Sequence, residues 1–267
     1  MKKAYYIVLV FSAFLVFSAF VPAVQASHSW GGYHWARTVN PFILKLGNDL
    51  SANWTSFLNT ASTKWSLSSV LDTTVVAGQS NPKTCRATLG RVEVCNNKYG
   101  NNGWLGIASI WVNGLHIVQG TVKFNDTYFS TAKYNTSAWK NLVACQEVAH
   151  TFGLDHQDEN FSNPNLGTCM DYTSDPDGSI YHQLDNQYPN AHDYEELGII
   201  YGHLDSITTV GAKVSSNARG NNIDENNNDD RSAWGREVHR DRKGHGSLFE
   251  RNEDKDNKVF TFVIWAD

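Results

Sequence analysis

The sequence predicts an α+β fold, on three observations. Runs rich in β-branched residues, broken by Asn/Gly turns, occupy the first half of the chain. Helix-period segments stand at 49–66, 137–151 and 193–203. Hydrophobic residues make up 41% of 267 and charged residues 18%, a balance that supports a sizeable buried core. With 22 Lys+Arg against 27 Asp+Glu, the net charge of -5 argues against a nucleic-acid binder, whose signature is a concentrated basic face.

From the N-terminus, Met1-Lys2-Lys3 precedes a mostly apolar run from Ala4 to Phe20, and small residues lead to Ala26. That order predicts a secretory signal peptide over 1–26, cleaved after Ala26. A membrane anchor needs about 20 apolar residues, and this run is short and ends at Pro22. His28 and His34 then read as surface groups among aromatics. In 49–66, Leu50, Trp54, Phe57, Leu58, Ala61 and Trp65 recur near helical spacing. Strands are predicted at 70–77, 92–94, 105–112 and 116–124, separated by turns such as Asn101-Asn102-Gly103 and Asn113-Gly114. The 137–151 helix has Trp139, Leu142, Val143 and Val148 on its apolar side, and Gly153 can end it by adopting a left-handed conformation. An Asn/Pro/Asp-rich loop runs to about residue 189. In the 193–203 helix, Asp193, Glu195 and Glu196 suit the positive end of the helix dipole.

Beyond Asp205 the character changes. Residues 206–232 read as a polar linker, almost devoid of apolar groups from 215 onward, with an Asp/Asn cluster at 224–230 that lacks the closing Glu and fixed Gly of an EF-hand loop. Residues 233–267 regain apolar alternation and are expected to form a small separate β unit. The nine Trp read mostly as core rather than as glycan platforms. Four Asn sequons, among them Asn125-Asp126-Thr127, matter only in a host that glycosylates secreted proteins.

Export favours oxidised thiols, so Cys85, Cys95, Cys145 and Cys169 are expected to form two disulfides. Four cysteines allow three pairings. Cys85 and Cys95 flank a short segment that a hairpin could close, which would leave Cys145 with Cys169. A Cys₄ zinc site is the other reading, without the usual C-x₂-C spacing.

The chemistry concentrates in Gln146-Glu147-Val148-Ala149-His150-Thr151-Phe152-Gly153-Leu154-Asp155-His156. On a helix Gln146 and His150 share a face, with Glu147 beside them, and a turn at Gly153 can bring His156 back to the same point. A metal ion held there lowers the pKa of its water toward about 7, and the carboxylate can accept the proton as water attacks a carbonyl. Glu147, His150, Gly153 and His156, with Cys169-Met170-Asp171-Tyr172 downstream, resemble the metzincin zinc endopeptidases, whose motif is H-E-x-x-H-x-x-G-x-x-H followed by a Met-turn.

The resemblance implies a metzincin-like mixed twisted sheet over 27–205, with an active-site helix, a Met-turn and a C-terminal helix, followed by the small C-terminal β appendage. It implies Zn²⁺ on His150 and His156, Glu147 as general base, Tyr172 as transition-state stabiliser, Met170 in the Met-turn, and a peptide or protein substrate. The strand at 114–124 would be the edge that receives an extended peptide, or else a core strand. Gln146 stands where the family has its first His, and an amide oxygen is a weaker, harder donor. Three arrangements follow. Gln146 ligates through its oxygen; or His182, His192 or Asp158 completes the set; or the protein holds no metal and binds without cutting. Asp158 is also a candidate to orient His156. A Cys145–Cys169 bridge would tie the motif helix to the Met-turn. The overall expectation is a secreted zinc endopeptidase without nucleic-acid or stable membrane partners, the rival being an inactive binding protein.

Overall fold

A computed structural model describes residues 28–213 and 229–266. The predicted signal peptide, most of the Asp/Asn cluster and the middle of the polar linker lie outside the described residues. Nine strands form one mixed sheet: β1 (His34–Trp35), β2 (Phe42–Asp49), β3 (Leu71–Ala77), β4 (Val92–Asn97), β5 (Trp104–Asn113), β6 (His116–Asn125), β7 (Arg236–Arg240), β8 (Gly246–Asn252) and β9 (Asn257–Trp265). The helices are α1 (Ala52–Trp65), the single turn α2 (Asp126–Phe129), α3 (Ser137–His150) and α4 (Ala191–Ile200).

The sheet runs β3-β2-β4-β6-β5-β9-β8-β7, with β1 added beside β6. Its first half is parallel, β2 pairing with β3 and β4, and β4 with β6. From β5 onward every pairing is antiparallel. The β2–α1–β3 crossover supplies the helix that parallel pairing requires. Parallel strands must be covered on both faces, and β4 and β6 are correspondingly almost wholly buried.

Two expectations are corrected here. The strand at 116–125 is not an edge, because β4 and β5 flank it. Nor do residues 233–267 form a separate unit: β9 adds to the free side of β5, in register from Gly106↔Ile264 to Asn113↔Asn257 with one shift before Gly106, so the sheet simply continues. Strand β2, unassigned from the sequence, sits between β3 and β4. The described ends of the polar segment also pack on the body, where Thr209 N bonds Ala36 O and Lys123 reaches Asp229. Asn125 is fully buried and its side chain caps α2, which closes its sequon to modification.

Helix α3 lies at the centre of the core. Every residue from Leu142 to His150 is buried, as in a helix packed on all sides rather than along one stripe. Thr136 caps its start by accepting from Trp139 N. Its last carbonyls find tryptophan and tyrosine partners: Trp35 Nε1 donates to Thr151 O, Tyr201 OH to Phe152 O, and Trp65 Nε1 to Cys145 O. Eight of the nine Trp are buried, which supports their reading as core. The four cysteines pair as Cys85–Cys95 and Cys145–Cys169.

Candidate metal centre

The centre forms where α3 ends. Gly153 adopts φ +96°, a left-handed conformation that side chains disfavour, and an added Cβ would collide with Tyr33 O. The resulting turn sets Leu154 O 2.8 Å from His150 Nδ1. It also returns the chain so that His156 Nε2 lies 3.0 Å from His150 Nε2. His156 Nδ1 is held by Glu159 Oε1 at 2.6 Å. Each imidazole therefore commits Nδ1 to an oxygen and turns Nε2 toward the other, as metal-ligating histidines do.

Gln146, one turn before His150, donates from Nε2 to Cys169 O at 2.9 Å. That bond orients the amide and leaves the buried Oε1 without a hydrogen-bond partner. Glu147 faces β5 across Gly106, where an added Cβ would come within 2.8 Å of its side chain. Gly106 is thus the gap in β5 that admits the carboxylate. Two imidazole Nε2 atoms 3.0 Å apart, with the uncommitted Gln146 amide oxygen one helical turn before His150, are donors of kinds that zinc accepts.

The electrostatics suit ligation at His150. Burial first, then the neighbouring His156, hold its imidazole well below the ordinary histidine range, so it is neutral. Burial opposes charge on His156 too, but the Glu159 bond and charge outweigh it and raise its pKa. Burial likewise works against ionised Glu159, yet His156, Ser247 and His239 bring it down to about 2. Burial pushes Glu147 well above the carboxylate range, against a single opposing contact from the Ala108 backbone.

Several candidates lie elsewhere. Asp158 does not touch His156; its carboxylate accepts from Asn160 N and Asn163 Nδ2, and the acid that orients His156 is its neighbour Glu159. His182 is exposed, and His192 lies beside His28, the rings tilted at 55°, grouped with Glu196. His28 and His34 are each only 4% exposed, contrary to the surface expectation. Met170 is wholly buried, its carbonyl bonded by Gln157 N, and Tyr172 N bonds Asp158 O. These two bonds lash the 169–172 segment to the loop carrying His156, and Cys145–Cys169 lashes it to α3.

The sequence gives no sign of the lid. Phe262 of β9 stacks on His150 at 4.2 Å with the rings 7° apart, and Tyr172 OH donates to Val263 O of the same strand. His239 of β7 clamps the other oxygen of Glu159 at 2.8 Å. Gln146, Glu147 and His150 are fully buried under this cover. A cleft of about 450 Å³ is lined by His156 itself, with Asp155, Glu159, His239 and Arg242 among others.

No protein-family model matches the sequence, and no curated protein does. Among solved structures, the chain is similar to high choriolytic enzyme 1, a hatching enzyme zinc-protease from the medaka fish Oryzias latipes, at TM-score 0.37 and 10% identity, covering 65% of this chain and 96% of that one. It is similar to the GM1-bound form of the ECX AB5 holotoxin at TM-score 0.37 and 13% identity, covering 64% and 87%. It is similar to myroilysin at TM-score 0.35 and 12% identity, covering 67% and 98%. Likeness at this level carries no chemistry, which rests on the residues of this chain.

Proposed function

We propose that the protein is a secreted, metzincin-like zinc endopeptidase whose cutting site is covered by its own C-terminal strands. The observation that carries this is the pair of Nε2 atoms 3.0 Å apart, each ring fixed through Nδ1, with a carboxylate one residue from the Gln146 donor. His150, His156 and the Gln146 oxygen would hold the ion. Zinc supplies Lewis-acid chemistry there, polarising water and a peptide carbonyl. In the closed chain burial keeps Glu147 protonated, so it would act as base only once the cover opens and it ionises beside the ion's charge. It would then accept the proton of the attacking water and pass it to the leaving amine. Glu159 keeps the proton of His156 on Nδ1 and so keeps Nε2 available. Once Tyr172 OH leaves Val263 O, it is free to stabilise the developing oxyanion.

A peptide substrate in this reading adds as an antiparallel strand to the side of β5 now held by β9. Phe262 therefore shields the site in the closed chain. Measured zinc content and peptide cleavage test both halves of the proposal. Wild type should carry one zinc more than His156→Ala and cleave slowly, Glu147→Gln should keep that zinc and lose cleavage by roughly 10²-fold or more, and Phe262→Ala should cleave faster per zinc than wild type. A folded wild-type protein with no more zinc than His156→Ala sinks the enzyme reading. Zinc with no cleavage even in Phe262→Ala favours the silent binding protein instead, the alternative that the complete burial of the site supports.

A further inference from the structure

On a different part of the fold, donor atoms of His34, His116 and Asp205, from three distant chain segments, lie within 4.8 Å of one another, with His203 beside them. His34 belongs to β1, His116 opens β6, and His203 and Asp205 follow α4. His34 Nε2 lies 3.4 Å from Asp205 Oδ1, His116 Nε2 3.3 Å from the same oxygen, and His203 Nε2 3.2 Å from His34 Nε2 and 3.7 Å from Asp205 Oδ1. Around a tetrahedral zinc with ligand bonds near 2.05 Å, neighbouring donors stand about 3.3 Å apart. The spacings from Asp205 Oδ1 to His34 and His116, and from His203 to His34, are close to that edge.

The surrounding bonds leave lone pairs facing inward. Gly32 O accepts from His34 Nδ1 at 2.8 Å, and this bond turns Nε2 toward Asp205. Asp205 is an ionised acceptor, its Oδ2 taken by Arg37 Nη1 at 2.9 Å and by Arg37 N at 3.1 Å. The Arg37 bonds also turn Oδ1 alone toward the histidines, as a one-oxygen ligand. The side chain of His34 is 5% exposed and that of Asp205 10%, while His116 and His203 close the group from the solvent side at 31% and 54%.

We infer that His34, His116, His203 and Asp205 form a second, structural zinc site that staples β1, β6 and the segment after α4 together. Three imidazole nitrogens and one carboxylate oxygen exclude calcium and magnesium, which take oxygen cages, and four protein donors leave no open position for chemistry. The site shares no residue with the His150–His156 pair and stands independently of it. Residues 171 apart in sequence meet here, so bound metal would restrain the unfolded chain strongly.

The test uses the full chain, with zinc counted by elemental mass spectrometry after dialysis against metal-free buffer. His156→Ala disables the first pair, and this variant should still retain one zinc per chain. Adding His203→Ala or His116→Ala, both at partly exposed positions that leave the core intact, should weaken that zinc at least tenfold and abolish the fall in melting temperature that chelation causes. Cobalt loaded into His156→Ala should give the intense visible absorption of a four-coordinate ion. The inference is overturned if folded His156→Ala retains no zinc, or if both added substitutions leave zinc affinity unchanged. If instead the first site is the one that fails, wild type and His156→Ala each carry a single zinc that His203→Ala removes.

Discussion

Gly153 controls the geometry of both site histidines, because its left-handed turn places the Leu154 carbonyl on His150 and brings His156 home. Gly153→Ala adds left-handed strain of order 1 kcal/mol and a clash with Tyr33 O. Circular dichroism melting should show a loss of several degrees, and zinc retention should fall with it. At Gln146 the opposite change is expected. His is the stronger zinc donor, so Gln146→His should slow zinc loss to a competing chelator, read as a longer half-life of the bound metal. The Cys169 carbonyl would lose its Gln146 donor, so that gain comes with somewhat lower thermal stability. Which acid steadies His156 was not legible from residue types, since Asp158 and Glu159 are adjacent and equally acidic. Only the loop conformation decides that Asp158 turns to Asn160 and Asn163 while Glu159 reaches both His156 and His239.

Among the elements, α3 was the most readable, because the periodicity of 137–151 and the spacing of Gln146, His150, Gly153 and His156 are local properties of the chain. Strand β2 was less so. Phe42, Leu44 and Leu46 do alternate with exposed Ile43 and Lys45, but the run is short and ends in Gly-Asn-Asp, which reads as a turn. Strand pairing was not readable at all, since β5 and β9 are both simply apolar strands and nothing local says that they meet. The Cys145–Cys169 bridge closes a 24-residue separation between α3 and the 169–172 segment. Replacing both cysteines with Ser should destabilise by about 3 kcal/mol in the chain-entropy picture. Chemical denaturation checks it, the midpoint shifting down while zinc at the first pair becomes easier to strip.

Across the whole molecule, buried charge makes stability depend on pH. Glu93, wholly buried on β4 between Arg91 and Asp49, is pushed up to about 7, chiefly by burial, from an ordinary 4.5. Gly47 makes room for the pair, as a side chain there would strike both Glu93 and Arg91. Asp171, also buried, is raised to about 6. Between about pH 4.5 and 7 the folded protein therefore holds protons that the unfolded chain has released, and stability falls as pH rises through that window. The lowered His150 acts with the opposite sign inside the window, where the unfolded chain binds a proton that the buried imidazole refuses, but the raised Glu93, Asp171 and Glu147 outnumber it. The lowered Asp205 and Glu159, at about 2, act with that sign only below about pH 4. Melting at pH 5 should exceed melting at pH 8 by several degrees in metal-free buffer, and Glu93→Gln should shrink the difference. An unchanged difference would remove Glu93 from the account. The α+β class and the position of the first site were thus readable from local pattern, whereas the His34–Asp205 convergence and the cover over α3 depend on contacts more than a hundred residues apart.

The pairing of β9 with β5 also sets an order of assembly. Ser109 and Thr261 touch across the strands although 152 residues separate them. An emerging chain has made β2 to β6 and α3 long before β9 exists, so β5 waits as a bare, apolar strand edge with Trp104 and Ile107 uncovered. Such an edge invites pairing with any other extended chain. Premature termination before residue 257 would thus give a sticky polypeptide rather than a merely shortened one, since the β5 edge is safe only once β9 has paired with it.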